Sequence, residues 1–381
     1  MKVLIVHPHL DLVGGSENLT RILIYELLEY CPECEIVVAT RARNETLFPD
    51  RPRLKFYFFK KSGISVKCPI AGKLIDLMIT YDEILHDEDP DIALIMIQEP
   101  VHALLLKTMR PGFKTAIYIH YPFEEELTES NLLKFFELYR FPNMYNEYYK
   151  YVDTRFVNSH YTLNALYKHY QVDADVVYPA VSWVYFENEP DIYEKRSNTI
   201  ITVGRFVPHK RLDVMIRLFR EHIKPRIPDA ELIIIGIPDI RYMDYYRELQ
   251  RLAEETEGVK LISESLSEED MIKYYRLAKV YVHLRIGEHF GMAPVEAMSQ
   301  GVIPVIPRDS GLAELVTHGK DGFVYENDRQ LVEYVLHVLK MDDNELAKLR
   351  RRAIRTSYYF TPSRFAKEVY YHVKVIAGPG K

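Results

Sequence analysis

Two glutamates eight residues apart bracket a glycine turn in "GEHFGMAPVEAMSQG", residues 287–301. Glu288 stands before the turn and Glu296 after it, on a predicted short helix. Pro294 suits the first turn of that helix and Gly301 the residue past its end. Amides from Gly291 through Met292 to Ala293 would open the helix without intrahelical partners, and such amides can hold phosphate. Glu296 can accept hydrogen bonds from a ribose diol, which would leave Glu288 near a reacting sugar. Alone, Glu296 is only an acidic residue well placed at a helix start. Flanking a glycine turn as a pair, the glutamates point past that reading. The segment "GRFVPHKRLD" supplies the opposite charge: Arg205 follows Gly204, and Lys210 comes five residues later. Two cations on one loop can neutralise a diphosphate, Arg205 as a fork and Lys210 as a point charge, although charged loops are usually just solvated. "GGSE", from Gly14 to Glu17, lets the backbone approach an anion ahead of a helix. It lacks the third glycine of a dinucleotide fingerprint, which counts against NAD.

These loops need strands to carry them. The chain opens with the apolar run "KVLIV", then a glycine loop, then a helical pattern. Comparable runs recur at "EIVVAT", "LKFYFF", "DIALIMI", "TAIYIHYP", "TRFVNS" and "ADVVYPA", mostly separated by helical segments. This alternation predicts an α/β protein with a mostly parallel sheet covered on both faces. Residues 184–198 are polar and acidic without a clear period, and read as an interdomain linker. The pattern then restarts at "TIITVGRF" and continues through "AELIIIGI", "VKLISE", "VYVHLR", "VIPVI" and "GFVYE". Two Rossmann-like halves are expected, residues 1–185 and 186–360. Residues 361–381 form a last helix, with Thr361 as N-cap and Pro362 at its first position, crossing back to the first half. All three charged loops then fall at carboxyl ends of strands, where open α/β sheets bind ligands.

The 381 residues exceed one typical core, and a net charge of −6 argues against a nucleic-acid binder. No apolar run is long enough to span a bilayer, and the start lacks the features of a signal peptide. With 3 cysteines no disulfide framework is expected, which favours a reducing cytoplasm. Cys31 and Cys34 in "CPEC" have no partner motif for zinc and read as small residues in a turn.

Taken together, "EHFGMAPVEAMSQGVIPVI", "GGSE", "VGRFVPHKRLD" and "DSGLAELVTHGKDGFVYEN" resemble the motifs of retaining family 4 glycosyltransferases. "YIHYPF", "VNSHYTLNAL" and "EHFGM" look most like the subgroup of α-1,2-mannosyltransferases that extend dolichol-linked oligosaccharide from GDP-mannose. "DSGLAE" departs from that subgroup in lacking its second glycine and proline, so the acceptor stays open. The resemblance implies a GT-B fold, two Rossmann-like domains with parallel sheets facing across an interdomain cleft. It implies a hexosyltransferase whose first domain binds a lipid-linked or glycan acceptor and whose second binds the nucleotide-sugar donor, GDP-mannose or a UDP-sugar. Arg205 and Lys210 would hold the donor diphosphate, Glu296 the ribose and Glu288 the sugar hydroxyls. Amides of Gly14, Gly15, Gly291, Met292 and Ala293 would complete the phosphate cradle, and His120 would contact the donor sugar. Without the motif, His120 reads as a structural histidine at a strand end.

Such a transfer piles charge on the leaving diphosphate, which fixed cations and amides stabilise. No Asp-x-Asp stands at the carboxyl end of a strand, so no metal and no cofactor are expected, with Arg205 and Lys210 doing that work. The resemblance further implies retention of anomeric configuration. Residues 51–75 hold seven basic residues, no acidic ones and the aromatic run Phe56 to Phe59. They read equally as a peripheral contact with the cytoplasmic membrane face or as a core strand with solvated lysines. "NLLKFFELYRFPNMYNEYYKY" is a second aromatic stretch open to either reading. The competing functions are a sugar-nucleotide epimerase of the same fold, a phosphorylase (no pyridoxal-lysine motif is evident) and a non-catalytic sugar-nucleotide-binding module.

Overall fold

The computed structural model describes residues 1–12, 14–61, 69–122 and 147–378. It divides into two units, Met1–Ala180 with Pro362–Lys381, and Val181–Thr361.

Among the described residues the first unit carries nine strands: β1 (Lys2–Val6), β2 (His9–Leu10), β3 (Glu35–Thr40), β4 (Ala42–Arg43), β5 (Leu54–Phe58), β6 (Ile92–Ile95), β7 (Lys114–Ile119), β8 (Thr154–Val157) and β9 (Asp175–Val176). Seven of them form one parallel sheet in the order β5-β3-β1-β6-β7-β8-β9, and β2 pairs with β4. Alternate residues of β1 enter opposite cores, as the period of a strand requires. Val3 and Ile5 pack with helix α1 (Gly15–Tyr30) and with the C-terminal helix Pro362–Ala377. Leu4 and Val6 pack with α2 (Pro69–Asp87), α3 (Val101–Met109) and α4 (His160–Tyr170). A strand apolar on both faces must be covered twice, which is why "KVLIV" reads as a continuous run. The C-terminal helix belongs to this unit because Phe365, Val369, Tyr370 and Val373 are buried in its core. Phe365 meets the Tyr118 ring edge-on at 5.7 Å.

Two expectations change here. Cys31 and Cys34 are joined by a disulfide, not merely lodged in a turn. The turn that ends α1 sets their Cα atoms 5.2 Å apart, within disulfide reach, and the pairing removes the cysteine count as a ground for naming a compartment. The segment 184–198 is not a free linker. Arg350 donates to the carbonyls of Asp191, Ile192 and Glu194 at 2.7, 2.7 and 2.9 Å, and Arg196 donates to those of Ala278 and Gln300 at 2.8 and 2.6 Å. Both arginines are buried, so the segment is pegged to the second unit.

That unit carries β10 (Thr199–Val203), β11 (Glu231–Ile235), β12 (Val259–Ile262), β13 (Val280–Val282), β14 (Ile303–Pro307) and β15 (Phe323–Tyr325). All pair in parallel, in the order β12-β11-β10-β13-β14-β15. Helices α5 (Leu212–Leu218), α6 (Met243–Glu254), α7 (Glu268–Leu277), α8 (Ala293–Ser299), α9 (Asp328–Lys340) and α10 (Asp343–Ser357) connect and cover them. The chain steps outward from β10 to β12, then returns to lay β13 on the other side of β10. Loops leaving β10 and β13 therefore diverge at their carboxyl ends and leave a crevice, the topological switch point of such sheets. Among the described residues no helix is long and apolar enough to cross a membrane.

Candidate functional site

The switch point of the second sheet is where the charged loops meet. After β10 the chain passes Gly204 and Arg205 into the short 3-10 turn Pro208–Lys210. The Lys210 stem lies over Gly204, where an added Cβ would sit 3.5 Å from its Cδ and Cε. After β13 the chain reaches Glu288, and Lys210 Nζ binds Glu288 Oε2 at 2.6 Å. Arg285 approaches Oε1 at 3.6 Å, and His283 Nε2 stands 3.4 Å from Oε2. Burial alone would raise the Glu288 carboxyl, but Lys210, His283 and Arg285 outweigh it and hold the group well below the usual carboxylate range. Glu288, its side chain 12% exposed, is thus a partly buried charge with its cations in place. Its loop is tied to the one leaving β14, through Gly287 N–H to Asp309 at 2.8 Å and Gly311 N–H to the Glu288 carbonyl at 2.8 Å.

Glu296 has different company. It sits on the first turn of α8 and accepts a hydrogen bond from Tyr275 at 2.9 Å, while the Tyr185 phenol also favours its charged form. Burial pushes its pKa up to about 7; the two phenols pull against that shift and the Glu268 charge adds to it. Gly291, between the two glutamates, has φ +81°, a conformation L side chains rarely adopt. Helix α8 starts at Ala293 with Met292 before it, so its first amides have no carbonyl within the helix.

The remaining candidates lie elsewhere. The Arg205 side chain is 64% exposed and reaches Asp239 at 3.6 Å, so it shares the Lys210 loop without touching Glu288. His120, at the end of β7 in the first unit, donates from Nε2 to the Met96 carbonyl at 3.1 Å. Burial lowers its pKa to about 4, which keeps the ring neutral and leaves Nδ1 as an acceptor. His7, at the end of β1, accepts the His9 N–H at 3.2 Å, and burial with its histidine neighbours lowers it to about 3. Gly14 precedes α1 in an extended conformation, and Gly15 opens the helix. A Cβ on Gly14 would collide with the Glu17 carboxylate, so that turn keeps an acidic group of its own against the glycine.

Three cations of the basic island are spoken for. Arg53 caps α1, donating to the carbonyls of Leu28, Cys31, Pro32 and Cys34 at 2.7, 3.0, 2.9 and 3.1 Å. Lys55 pairs with buried Glu88 at 2.8 Å and Lys60 with Glu83 at 3.0 Å. The aromatic run alternates: Phe56 packs on one core, Tyr57 and Phe59 on the other, and Phe58 is 47% exposed. Residues 62–68, Lys67 among them, lie outside the described residues, as does most of the stretch 131–151.

Three site residues escaped the sequence reading: His283, Tyr185 and Tyr275. His283 left one trace, a polar residue at the end of the apolar run "VYV". Tyr275, 21 residues before Glu296, left none, because only the fold brings α7 beside α8.

A switch-point crevice carrying a Lys–Glu pair, a glycine turn and a second, partly buried glutamate agrees with the comparisons. Residues 186–358 match the family of glycosyl transferases group 1. The second unit is a group 1 glycosyl transferase domain. A human GDP-Man:Man(3)GlcNAc(2)-PP-Dol alpha-1,2-mannosyltransferase is 27% identical over 68% of this chain, and the chain spans 55% of that relative's length. The protein of the same name from Dictyostelium discoideum is 22% identical over 97% of this chain and 83% of its own. Among solved structures, Anabaena Alr3699/HepE in complex with UDP and glucose superposes with TM-score 0.75 at 15% identity, over 98% of this chain and 99% of that one. A sucrose-phosphate synthase from Thermosynechococcus elongatus gives 0.76 at 14%, over 97% and 98%. These likenesses establish the fold as GT-B, with the group 1 domain as its second unit.

Proposed function

We propose that this protein is a retaining mannosyltransferase that moves mannose from GDP-mannose to a lipid-linked oligosaccharide. The observation carrying this reading is the 2.6 Å Lys210–Glu288 pair at the switch point of a group 1 domain. The activity for which the human and Dictyostelium relatives are named suggests sugar, nucleotide and acceptor class.

In this reading the donor diphosphate lies along the Gly291–Ala293 amides and draws the Lys210 ammonium, with Arg205 as a second cation. Glu296 takes the ribose diol, and Glu288 the mannose hydroxyls. As the glycosidic bond breaks, negative charge grows on the diphosphate oxygen, and the ammonium and amides stabilise it without reorganising. The acceptor hydroxyl attacks from the face the diphosphate leaves, giving retention, and its proton goes to the departing phosphate oxygen. His120 offers a neutral acceptor atom for a sugar hydroxyl. The reading uses no metal ion, so chelator should leave turnover unchanged. Within the 51–75 segment, Arg51, Phe58, Lys61 and Lys73 are among the exposed groups that a lipid surface could engage.

The test is incubation with GDP-mannose and a dolichol-type diphosphate oligosaccharide, followed by mass and linkage analysis. One added α-linked mannose, dependent on acceptor, is expected. Sugar release or isomerisation without acceptor would point to the epimerase instead, and tight GDP binding with no product over many acceptors would point to a binding module.

A further inference from the structure

The imidazole of His283 is placed by everything around it except a hydrogen bond to its own Nε2. Its backbone N–H continues the ladder to the Val305 carbonyl at 3.0 Å, and its carbonyl accepts the Tyr325 hydroxyl at 2.9 Å. The ring lies near-parallel to that of Tyr281, with centroids 6.4 Å apart. The residue is 5% exposed, and Nε2 has no hydrogen-bond partner of good geometry. A buried polar atom without a partner costs stability, so its persistence asks for a reason. Nε2 stands 3.4 Å from Glu288 Oε2, the oxygen that Lys210 already binds at 2.6 Å, without the alignment of a hydrogen bond. A Cβ on Gly291 would sit 3.3 Å from Glu288 Cγ and 3.4 Å from His283 Cε1. The glycine turn therefore rests directly on this histidine–glutamate pair.

We propose that His283 is a positioning residue that takes over Glu288 Oε2 when a donor diphosphate draws Lys210 away. This rests on the donor-binding reading above. A partly buried carboxylate that loses its ammonium needs another donor or it will turn and cost the site its geometry. With the proton on Nε2, the ring and the carboxylate have only to shift into hydrogen-bond alignment, and no proton is transferred. Arg285 attends the other oxygen at 3.6 Å, so the carboxylate keeps its plane while Oε2 changes partner. Gly291 registers the phosphate-facing turn against the same pair.

The test compares wild type with His283→Phe, which keeps the ring volume, and with His283→Gln, which returns a donor at the same reach. Turnover of GDP-mannose in His283→Phe should fall about 10- to 100-fold, the range for a hydrogen bond to a charged group. Calorimetric binding of GDP, which carries the diphosphate but no sugar, reports folding of both variants. His283→Gln should recover most of the lost turnover. Wild-type turnover in His283→Phe, or equal loss in His283→Gln with GDP binding retained, would overturn the proposal. If His283→Phe does not fold, His283→Gln against His283→Leu decides by the same criteria. Lys210→Ala separates the two layers: if it also turns over normally, the donor-binding reading fails, whereas if it is inactive and His283→Phe is not, only the role of His283 fails.

Discussion

Glu288 and Glu296 lie eight residues apart on either side of one turn, both are partly buried, and their environments drive them in opposite directions. Glu288 meets Lys210, Arg285 and His283 and is held well below the usual carboxylate range. Glu296 meets the hydroxyls of Tyr275 and Tyr185 beside the Glu268 charge and rises to about 7. Burial pushes both groups upward, so the neighbours decide the sign. Cations make Glu288 a fixed charge, suited to orient polar hydroxyls beside a departing anion. Phenols satisfy Glu296 without neutralising it, which fits the proposed exchange of one hydroxyl partner for a ribose diol.

The most damaging way to test the contrast is to remove the cation. Lys210→Ala leaves a partly buried carboxylate without its nearest partner; turnover should fall on the order of 100-fold or more, since truncating one half of such a pair costs several kcal/mol. Steady-state kinetics on the folded variant checks this, and a loss below about threefold would refute the assignment. The next effect is on stability against pH. Because the folded pKa of Glu296 is raised from 4.5 to about 7, its proton stabilises the fold fully below pH 4.5, and that contribution is lost as pH rises to about 7. Glu296→Gln should remove roughly 3 kcal/mol of pH dependence between pH 5 and 8. Urea unfolding at both pH values measures it, and identical pH profiles would mean that Glu296 titrates normally. The smallest effect belongs to Arg205, whose side chain is 64% exposed. Arg205→Ala should leave stability within about 0.5 kcal/mol and weaken donor binding several-fold, more at low salt than at high. Loss of binding equal to that of Lys210→Ala at every ionic strength would place Arg205 on the diphosphate as firmly as Lys210.

Much of this site was legible in the chain because it is local. Gly291, Pro294 and Gly301 mark the turn and the limits of α8 within 11 residues, and Gly204 with Lys210 marks the loop after β10. Strands apolar on both faces announce a covered parallel sheet, so the α/β class follows from runs such as "KVLIV" and "TIITV". What stayed hidden depends on distant pairing. Tyr275 reaches Glu296 only because α7 packs beside α8, and Lys55 is neutralised only because Glu88, 33 residues away, is buried beneath it. The acidic composition of residues 184–198 suggested a solvated linker, yet its carbonyls, not its side chains, are what Arg350 binds. Composition reports side chains and cannot show a backbone held by arginines.

The most direct test of the donor grip is calorimetric titration of GDP-mannose into wild type and Lys210→Ala at pH 7.5. Saturable one-to-one binding to wild type, weakened on the order of 100-fold in the variant, is the expected result. Equal affinity for both proteins, or no binding to wild type, would contradict the claim that Lys210 and Glu288 form the donor site.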